Sequence, residues 1–452
     1  MRLSARIKGD IIIGRYFGTD GFRGEAGVKV TAQKAYEIGR ILGYTLSKQK
    51  GAKCKAVIGK DTRLSSYMLE YSLASGLTAS GADAYVLHVT TTPSVSYITR
   101  CDGFDCGIMI SASHNPYFDN GIKIMNGRGE KADGELIETI ENYLDGKHGE
   151  IPFASGKDIG RTVDYISGRN RYIGHLISLS SCSYKDLKVG IDGANGSAYE
   201  IAKNVFETLG AKTYCIGDTP DGCNINDGVG SCHTERLCAL VKENNLDIGF
   251  AFDGDADRCI CVDERGEVLT GDEEMYILAN RLKKRGALMG DKIVCTVLSN
   301  GGLLKSLNEN GISAEISDVG DSNVWTMMNK TGAVLGGERS GHIVLSKYET
   351  TGDGLVTAIM LMEAAIDGNC KISELLKKYK SFPQYELNVP SKDKIRSANA
   401  VKFLAEKLQK DLGLRIIVRP SGTEDVVRIF AEGENYNNCV SAARKLSAEI
   451  LS

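Results

Sequence analysis

The chain is expected to be an α/β protein: three similar mixed-sheet α/β domains and a smaller C-terminal α+β domain around a central cleft. Three observations carry this expectation. One order of strand, polar loop, helix, glycine and second strand occurs three times. Each occurrence ends its third strand in a loop crowded with chemistry-bearing side chains. After about residue 378 the order changes to strands and helices of a different spacing.

The first repeat opens with the apolar run Lys55-Ala56-Val57-Ile58-Gly59 and the loop Lys60-Asp61-Thr62-Arg63. The second opens with Leu187 to Ile191 and the loop Asp192-Gly193-Ala194-Asn195-Gly196. The third opens with Lys292 to Val297 and Leu298-Ser299-Asn300-Gly301. A helix-periodic segment follows each, and Gly81, Gly210 and Gly311 precede the second strands. Third strands then end in Ser111–Asn115, Asp253–Arg258 and Gly336–His342. Right-handed crossovers place all three loops at the same edge of their sheets, where open α/β sheets bind ligands. The expected domains are 1–165, 166–264, 265–377 and 378–452. In the last, strands at Tyr385–Val389, Leu414–Val418 and Val426–Phe430 accompany a helix at Ala398–Leu412 and a final helix. This domain is expected to close over the cleft.

Composition bounds the function. A chain of 452 residues allows three or four domains at roughly 100–150 residues each. With a net charge of −3, neither nucleic acid nor an anionic membrane is an expected partner. The apolar runs fall far short of the ~20 residues that a membrane helix needs. Met1 to Arg6 is basic, but Ile11-Ile12-Ile13 is too short for a signal peptide. The 13 cysteines are scattered without a paired framework, which reads as reduced thiols in a cytoplasm. Cys259-Ile260-Cys261 and Cys101/Cys106 lack zinc spacing. A homodimer is left open.

The loops carry the chemistry. In Ile110-Ser111-Ala112-Ser113-His114-Asn115-Pro116 a hydroxyl sits beside an imidazole at the end of a strand. The heptapeptide equally suits a polar turn. Asp253-Gly254-Asp255-Ala256-Asp257-Arg258 puts three carboxylates at alternating positions, suited to a hard divalent cation such as Mg²⁺. A solvated acidic turn is the plainer alternative. A calcium EF-hand is rejected, because Arg258 occupies the glycine position and the flanks read as strands. Arg419-Pro420-Ser421-Gly422-Thr423-Glu424, with Arg428 nearby, suits a phosphate cradle or a plain hairpin turn. Gly336-Gly337-Glu338-Arg339-Ser340-Gly341-His342 offers groups for sugar hydroxyls, though a glycine-rich turn explains it equally well. Phe17 to Gly24 is a glycine-rich loop carrying Arg23. Lys123 is a base or acid if nearby charge depresses its pKa, or else a surface lysine. No Walker motif is present, and no Gly-x-Ser-x-Gly elbow surrounds Ser113. Phosphoryl transfer through a phosphoserine fits the set best.

In five motifs in order (Phe17–Gly24, Ile110–Pro116, Asp253–Arg258, Gly336–His342 and Arg419–Glu424) the chain closely resembles the α-D-phosphohexomutase superfamily. Tyr16–Gly21, Asn224-Ile225-Asn226-Asp227-Gly228 and Thr350-Thr351-Gly352-Asp353-Gly354 are most similar to the bacterial phosphoglucosamine mutases within it. The resemblance implies four domains and the interconversion of glucosamine 6-phosphate and glucosamine 1-phosphate, a step toward UDP-N-acetylglucosamine and the cell wall. It implies that Ser113 carries the phosphoryl group, and that Asp253, Asp255, Asp257 and the phosphoserine hold one Mg²⁺. A hexose 1,6-bisphosphate would be the intermediate and activator. Lys123, His114 and Arg23 would manage protons and charge. Glu338, Ser340 and His342 would hold the sugar, and Arg419, Ser421, Gly422, Thr423 and Arg428 the non-reacting phosphate.

Some positions depart from the family pattern. Ser322-Asn323 stand where Arg-Tyr is usual, Arg339 replaces an uncharged residue, and Asp425 a proline. Residues 1–13 precede the usual start. Competing readings are a phosphomannomutase or phosphoglucomutase of the same superfamily, a phosphatase, and a non-catalytic sugar-phosphate-binding regulatory protein.

Overall fold

A computed structural model describes residues 15–18, 20–421 and 425–451. Residues 1–13, Thr19, Gly422, Thr423 and Glu424, which figured in the expectations above, lie outside the described residues. The chain forms two compact units. One comprises residues up to 298 together with 314–377; the other comprises 299–313 together with 378–452.

The first unit bears out the threefold repeat at the level of strand order. In its first sheet, strand Lys55–Lys60 is flanked by parallel strands Asp83–Val89 and Cys106–Ile110, and Asp119–Asn126 adds antiparallel to the latter. The second sheet repeats the arrangement with Lys188–Asp192 between Lys212–Ile216 and Ile248–Phe252, then antiparallel Cys259–Val262. The third has the same order, with Lys292–Thr296 between Ser313–Ser317 and Leu335–Gly337, then antiparallel Ile343–Leu345. In each sheet the crowded loop joins the third strand to the antiparallel fourth. The first two third strands are buried along their whole length, which is why they read as continuous apolar runs rather than alternating ones.

Two additions enlarge the first sheet to seven strands. The hairpin Phe17–Gly18/Gly21–Glu25 pairs antiparallel with Asp119–Asn126, setting Arg23 opposite Gly121. Strand Thr162–Asp164 joins the other edge. Helices Ala32–Lys50 and Leu64–Ala79 cover one face and cross closely. A Cβ on Gly76 would come within 2.1 Å of the Tyr36 carbonyl oxygen, so only glycine fits there. Helix Gly354–Gly368 is apolar almost all round and buried over its first eleven residues. Asp353 caps it, accepting from the Leu355 and Val356 amides at 2.9 and 3.0 Å.

The second unit holds a three-stranded antiparallel sheet, with Val426–Glu432 between Gln384–Pro390 and Arg415–Pro420. Helices Gly301–Glu309 and Tyr436–Leu451 belong to the same unit. The helix expected at Ala398–Leu412 differs in its limits. It starts at Lys394, where Asp393 accepts from the Arg396 amide, and it breaks at Val401 into Lys394–Ala400 and Lys402–Leu412. The break falls at a fully buried β-branched residue, whose place in the core outweighs helical continuity.

Candidate active site

The crowded loops meet within the first unit. The Thr92 amide donates to the Asp255 carbonyl at 2.9 Å, the Gly354 amide to the Ala256 carbonyl at 3.0 Å, and the Cys259 amide to the Gly341 carbonyl at 3.1 Å. Gly254 is pressed against the serine loop: a Cβ there would lie 2.5 Å from the Ser113 carbonyl oxygen. The serine and aspartate loops therefore touch backbone to backbone, which the glycine between two aspartates permits.

Ser113 is buried and holds a left-handed backbone, with φ of 54°. A non-glycine residue in this region is held there by its surroundings. Its Oγ donates to Asp253 Oδ2 at 2.5 Å, while the Nδ1 of His114 is 3.3 Å away. The short contact is to the carboxylate, not to the imidazole. Loss of water around the His114 ring, then the charges of Arg258 and Arg23, push its pKa down to about 4, although part of the residue is exposed. At neutral pH this imidazole is uncharged.

Asp253, Asp255 and Asp257 each bring an oxygen within 4.8 Å of the others, and all three are buried. Burial first, then Asp257 and Asp255, push the Asp253 carboxyl well above the usual carboxylate range. The Oδ1 atoms of Asp255 and Asp257 are buried without a hydrogen-bond partner among the described residues. Buried, unsatisfied carboxylate oxygens pointing together are costly alone and suited to a hard divalent cation. The donor set fits such an ion.

Lys123 lies on strand Asp119–Asn126 and is only 6% exposed. It is neither a surface lysine nor one with a depressed pKa. Burial works to lower its pKa, but Asp20, Asp255 and Asp257 outweigh burial and raise it, so the group stays an ammonium. Its Nζ is 2.7 Å from Asp255 Oδ2, 3.2 Å from Asp257 Oδ2 and 3.7 Å from Asp20 Oδ1. Arg23 pairs with Asp20 and reaches the Ala112 carbonyl at 3.4 Å.

A cavity of about 660 Å³ opens beside this cluster, lined among others by Lys123, Lys131, Asp257, Asp321, Trp325 and His342. Its size is that of a small-ligand pocket. His342 is buried, and among the described residues neither ring nitrogen has a hydrogen-bond partner. Glu338 Oε1 accepts from the Gly320 amide at 2.9 Å, tying the sugar-type loop to the Val319-Gly320-Asp321 turn. Glu338 is half-buried and Ser340 exposed; neither lines the cavity. Ser322, at a departing position, does line it, whereas Asn323 turns its amide back to the Val319 carbonyl at 2.9 Å.

Sequence reasoning passed over three residues. Asp20 Oδ1 is 3.3 Å from Lys131 Nζ, and Lys131 lies 2.5 Å from Asp321 Oδ2. With Lys123 they form a line of alternating charge along the cavity. The neighbouring lysines hold Asp20 and Asp321 below the usual carboxylate range against the opposing effect of burial. Asp20 sits in the glycine-rich Phe17–Gly24 loop and Asp321 directly precedes the departing Ser322-Asn323; nothing around Lys131 marks it.

The second unit carries the remaining residues. Arg419 and Arg428 face each other as cross-strand partners. The Ser421 amide donates to the Val426 carbonyl at 2.9 Å.

A fold of three like α/β sheets with a small C-terminal domain, and a serine set against a buried aspartate trio, defines an enzyme of the phosphohexomutase class. The chain belongs to the phosphoglucomutase/phosphomannomutase family: its domain I model matches residues 14–149, domain II 170–266, domain III 270–382 and the C-terminal domain 386–439. Among its relatives, a phosphoglucosamine mutase of Lachnospira eligens is 54% identical over 432 residues, covering 94% of this chain and 96% of that one. One of Streptococcus pneumoniae is 44% identical over 93% of this chain and 94% of its own. A solved phosphoglucomutase/phosphomannomutase family protein of Burkholderia thailandensis shares the fold with a TM-score of 0.79 at 24% identity, covering 96% of this chain and 97% of that one.

Proposed function

We propose that this enzyme interconverts glucosamine 6-phosphate and glucosamine 1-phosphate, in the cytoplasm, with Ser113 as phosphoryl carrier and a 1,6-bisphosphate as intermediate. The observation that carries the reading is the 2.5 Å contact of Ser113 Oγ with Asp253, inside a buried carboxylate trio. A hydroxyl placed so is poorly served by the neighbouring imidazole. It is well placed to carry a phosphate whose oxygens share a cation with the carboxylates.

Asp253, Asp255, Asp257 and an oxygen of the Ser113 phosphate would hold Mg²⁺. When bound, the ion supplies neutralisation of the charge on the transferring group. The attacking sugar hydroxyl forms the new O–P bond as the bond to Ser113 Oγ breaks. The hydroxyl proton goes to a neutral acceptor, for which His114 is suited, and Lys123 as an ammonium supplies a proton to the departing serine oxygen. Arg23 balances charge beside the serine loop. The reverse sense returns the other phosphate of the bisphosphate to Ser113. Glu338, Ser340 and His342 would hold the sugar hydroxyls in both orientations. Arg419, Ser421, Gly422, Thr423 and Arg428 would hold the non-reacting phosphate; Arg419 and Arg428 bring two cationic side chains to paired positions of adjacent strands.

The test is a coupled assay with glucosamine, glucose and mannose phosphates in the presence of a 1,6-bisphosphate. Fastest turnover is expected with glucosamine phosphate. Faster turnover of glucose or mannose phosphate would replace the substrate while keeping the chemistry. Mass spectrometry is expected to find phosphate on Ser113, and Ser113→Ala to lose turnover. Label retained in the hexose product separates a mutase from a phosphatase.

A further inference from the structure

We infer that Arg63 and Asn226 are positioning residues for Ser113: together they clamp the carbonyls of the serine loop and hold the phosphoryl carrier in its left-handed conformation. The inference rests on the reading of Ser113 as that carrier.

Arg63 is fully buried. Its Nε donates to Asp61 Oδ2 at 2.8 Å. Its Nη2 donates to the Ser113 carbonyl at 2.9 Å and the Asn115 carbonyl at 2.8 Å. Its Nη1 donates to the Pro116 carbonyl and, at 3.1 Å, to that of Asp119. A guanidinium has five N–H donors in a rigid plane, and all five are used here, three of them on the serine loop and its continuation to Pro116 and one on the first residue of the strand that follows. A lysine offers only three donors and no fork.

Asn226 approaches the same loop from the Asn224-Ile225-Asn226-Asp227-Gly228 segment. Its Nδ2 donates to the Ser113 carbonyl at 2.9 Å and the Asn115 carbonyl at 3.1 Å. Each of these two carbonyls thus receives one donor from Arg63 and one from Asn226, filling both lone pairs. The peptide of Ser113 cannot turn without breaking charge-assisted bonds in a buried place. Ser113 has φ of 54°, and its Oγ direction follows from that backbone. A nucleophile that gives and regains a phosphoryl group at two ends of one substrate needs the same aim each time, and small misplacements reduce transfer rather than binding. Neither Arg63 nor Asn226 lines the cavity.

The test uses the full chain with Asn226→Gly, Asn226→Asp and Arg63→Lys. Asn226 has φ of 59°, which glycine and aspartate tolerate, so these two changes remove or invert the donor without adding backbone strain. Turnover is read on whichever hexose phosphate the enzyme uses fastest, and phosphorylation of Ser113 from glucose 1,6-bisphosphate by intact mass. Asn226→Gly is expected to lower kcat about tenfold and Asn226→Asp to lower it further, towards about 100-fold, with KM within about twofold and phosphorylation slowed in parallel. Arg63→Lys is expected to lower kcat in the same way; if it does not fold, the Asn226 pair decides. Folded Asn226 variants with unchanged kcat, or with a loss confined to KM, overturn the clamp, as does a lowered unfolding temperature with normal turnover. An active Ser113→Ala would instead overturn the carrier reading, whereas an inactive Ser113→Ala beside normal Asn226 variants overturns the clamp alone.

Discussion

Lys123 and Asp255 form an ion pair at 2.7 Å that ties strand Asp119–Asn126 to the aspartate loop. The lysine also reaches Asp257, so one ammonium compensates two of the three carboxylates. Lys123→Met removes that charge and keeps much of the apolar stem. Turnover is expected to fall by at least about 100-fold. Without the ammonium, the trio depends more on a divalent cation, so added Mg²⁺ is expected to raise the unfolding temperature of the variant more than that of the parent. An equal rise in both would mean that Lys123 does not share the carboxylates with the ion.

Burial and the like charges of Asp257 and Asp255 all oppose the ionisation of Asp253. Asp253→Asn is expected to leave stability without metal equal or higher, to abolish the Mg²⁺-dependent rise in unfolding temperature and to lower turnover by about 100-fold or more. For the parent, saturating Mg²⁺ at about 100 times its dissociation constant stabilises by roughly 2.7 kcal/mol. Thermal unfolding with EDTA and with Mg²⁺ separates these outcomes.

Trp325 is the only tryptophan of the chain and lines the cavity together with Asp321 and Ser322. Titration with a hexose phosphate is expected to change its fluorescence along a saturable curve whose midpoint follows KM. No change at saturating substrate would place the sugar away from that wall.

What was legible in the sequence was what each repeat carries locally. Ser113 and the aspartates follow apolar runs, and a strand emptying into a polar loop is visible without any partner. The threefold repeat of strand, helix and strand followed from the spacing; the order of the strands within each sheet, with its antiparallel fourth strand, did not. What stayed hidden depends on distant partners. The five bonds of Arg63 reach residues up to 56 positions away, and Lys131 meets Asp321 from another repeat. The direction of the Lys123 shift was misread for the same reason: burial and opposite charge act against each other, and only the positions of Asp20, Asp255 and Asp257 show which prevails. The break at Val401 was invisible because periodicity continues through it.

Gly352 sits against the ring of His342. A Cβ there would lie 2.4 to 2.7 Å from the ring atoms Nε2, Cδ2 and Cε1. The ring is buried. Gly352→Ala is expected to destabilise the first unit by about 1–3 kcal/mol through overpacking and to displace the imidazole, raising KM for the sugar phosphate. Chemical denaturation and steady-state kinetics check both. An alanine variant with unchanged KM would remove His342 from sugar binding.

Asp192 gives a pH dependence with a definite sign. It ends strand Lys188–Asp192 fully buried, accepting from the Gly230 amide at 2.7 Å and the Ala194 amide at 2.9 Å. Burial raises its pKa from 3.8 to about 6, and those two amides only partly oppose the shift. The folded state therefore keeps a proton that the unfolded chain has already lost. Stability from this group is present below about pH 4, is lost as pH rises toward about 6, and does not return above it, a loss of roughly 3 kcal/mol. Asp192→Asn cannot ionise, but its amide satisfies only one of the two backbone donors, a cost independent of pH. The stability of the parent relative to the variant is thus expected to fall between about pH 4 and pH 7, measured as the difference in denaturation free energy at each pH. A difference that stays flat over this range, or that grows, would mean that the carboxylate is ionised in the fold without penalty.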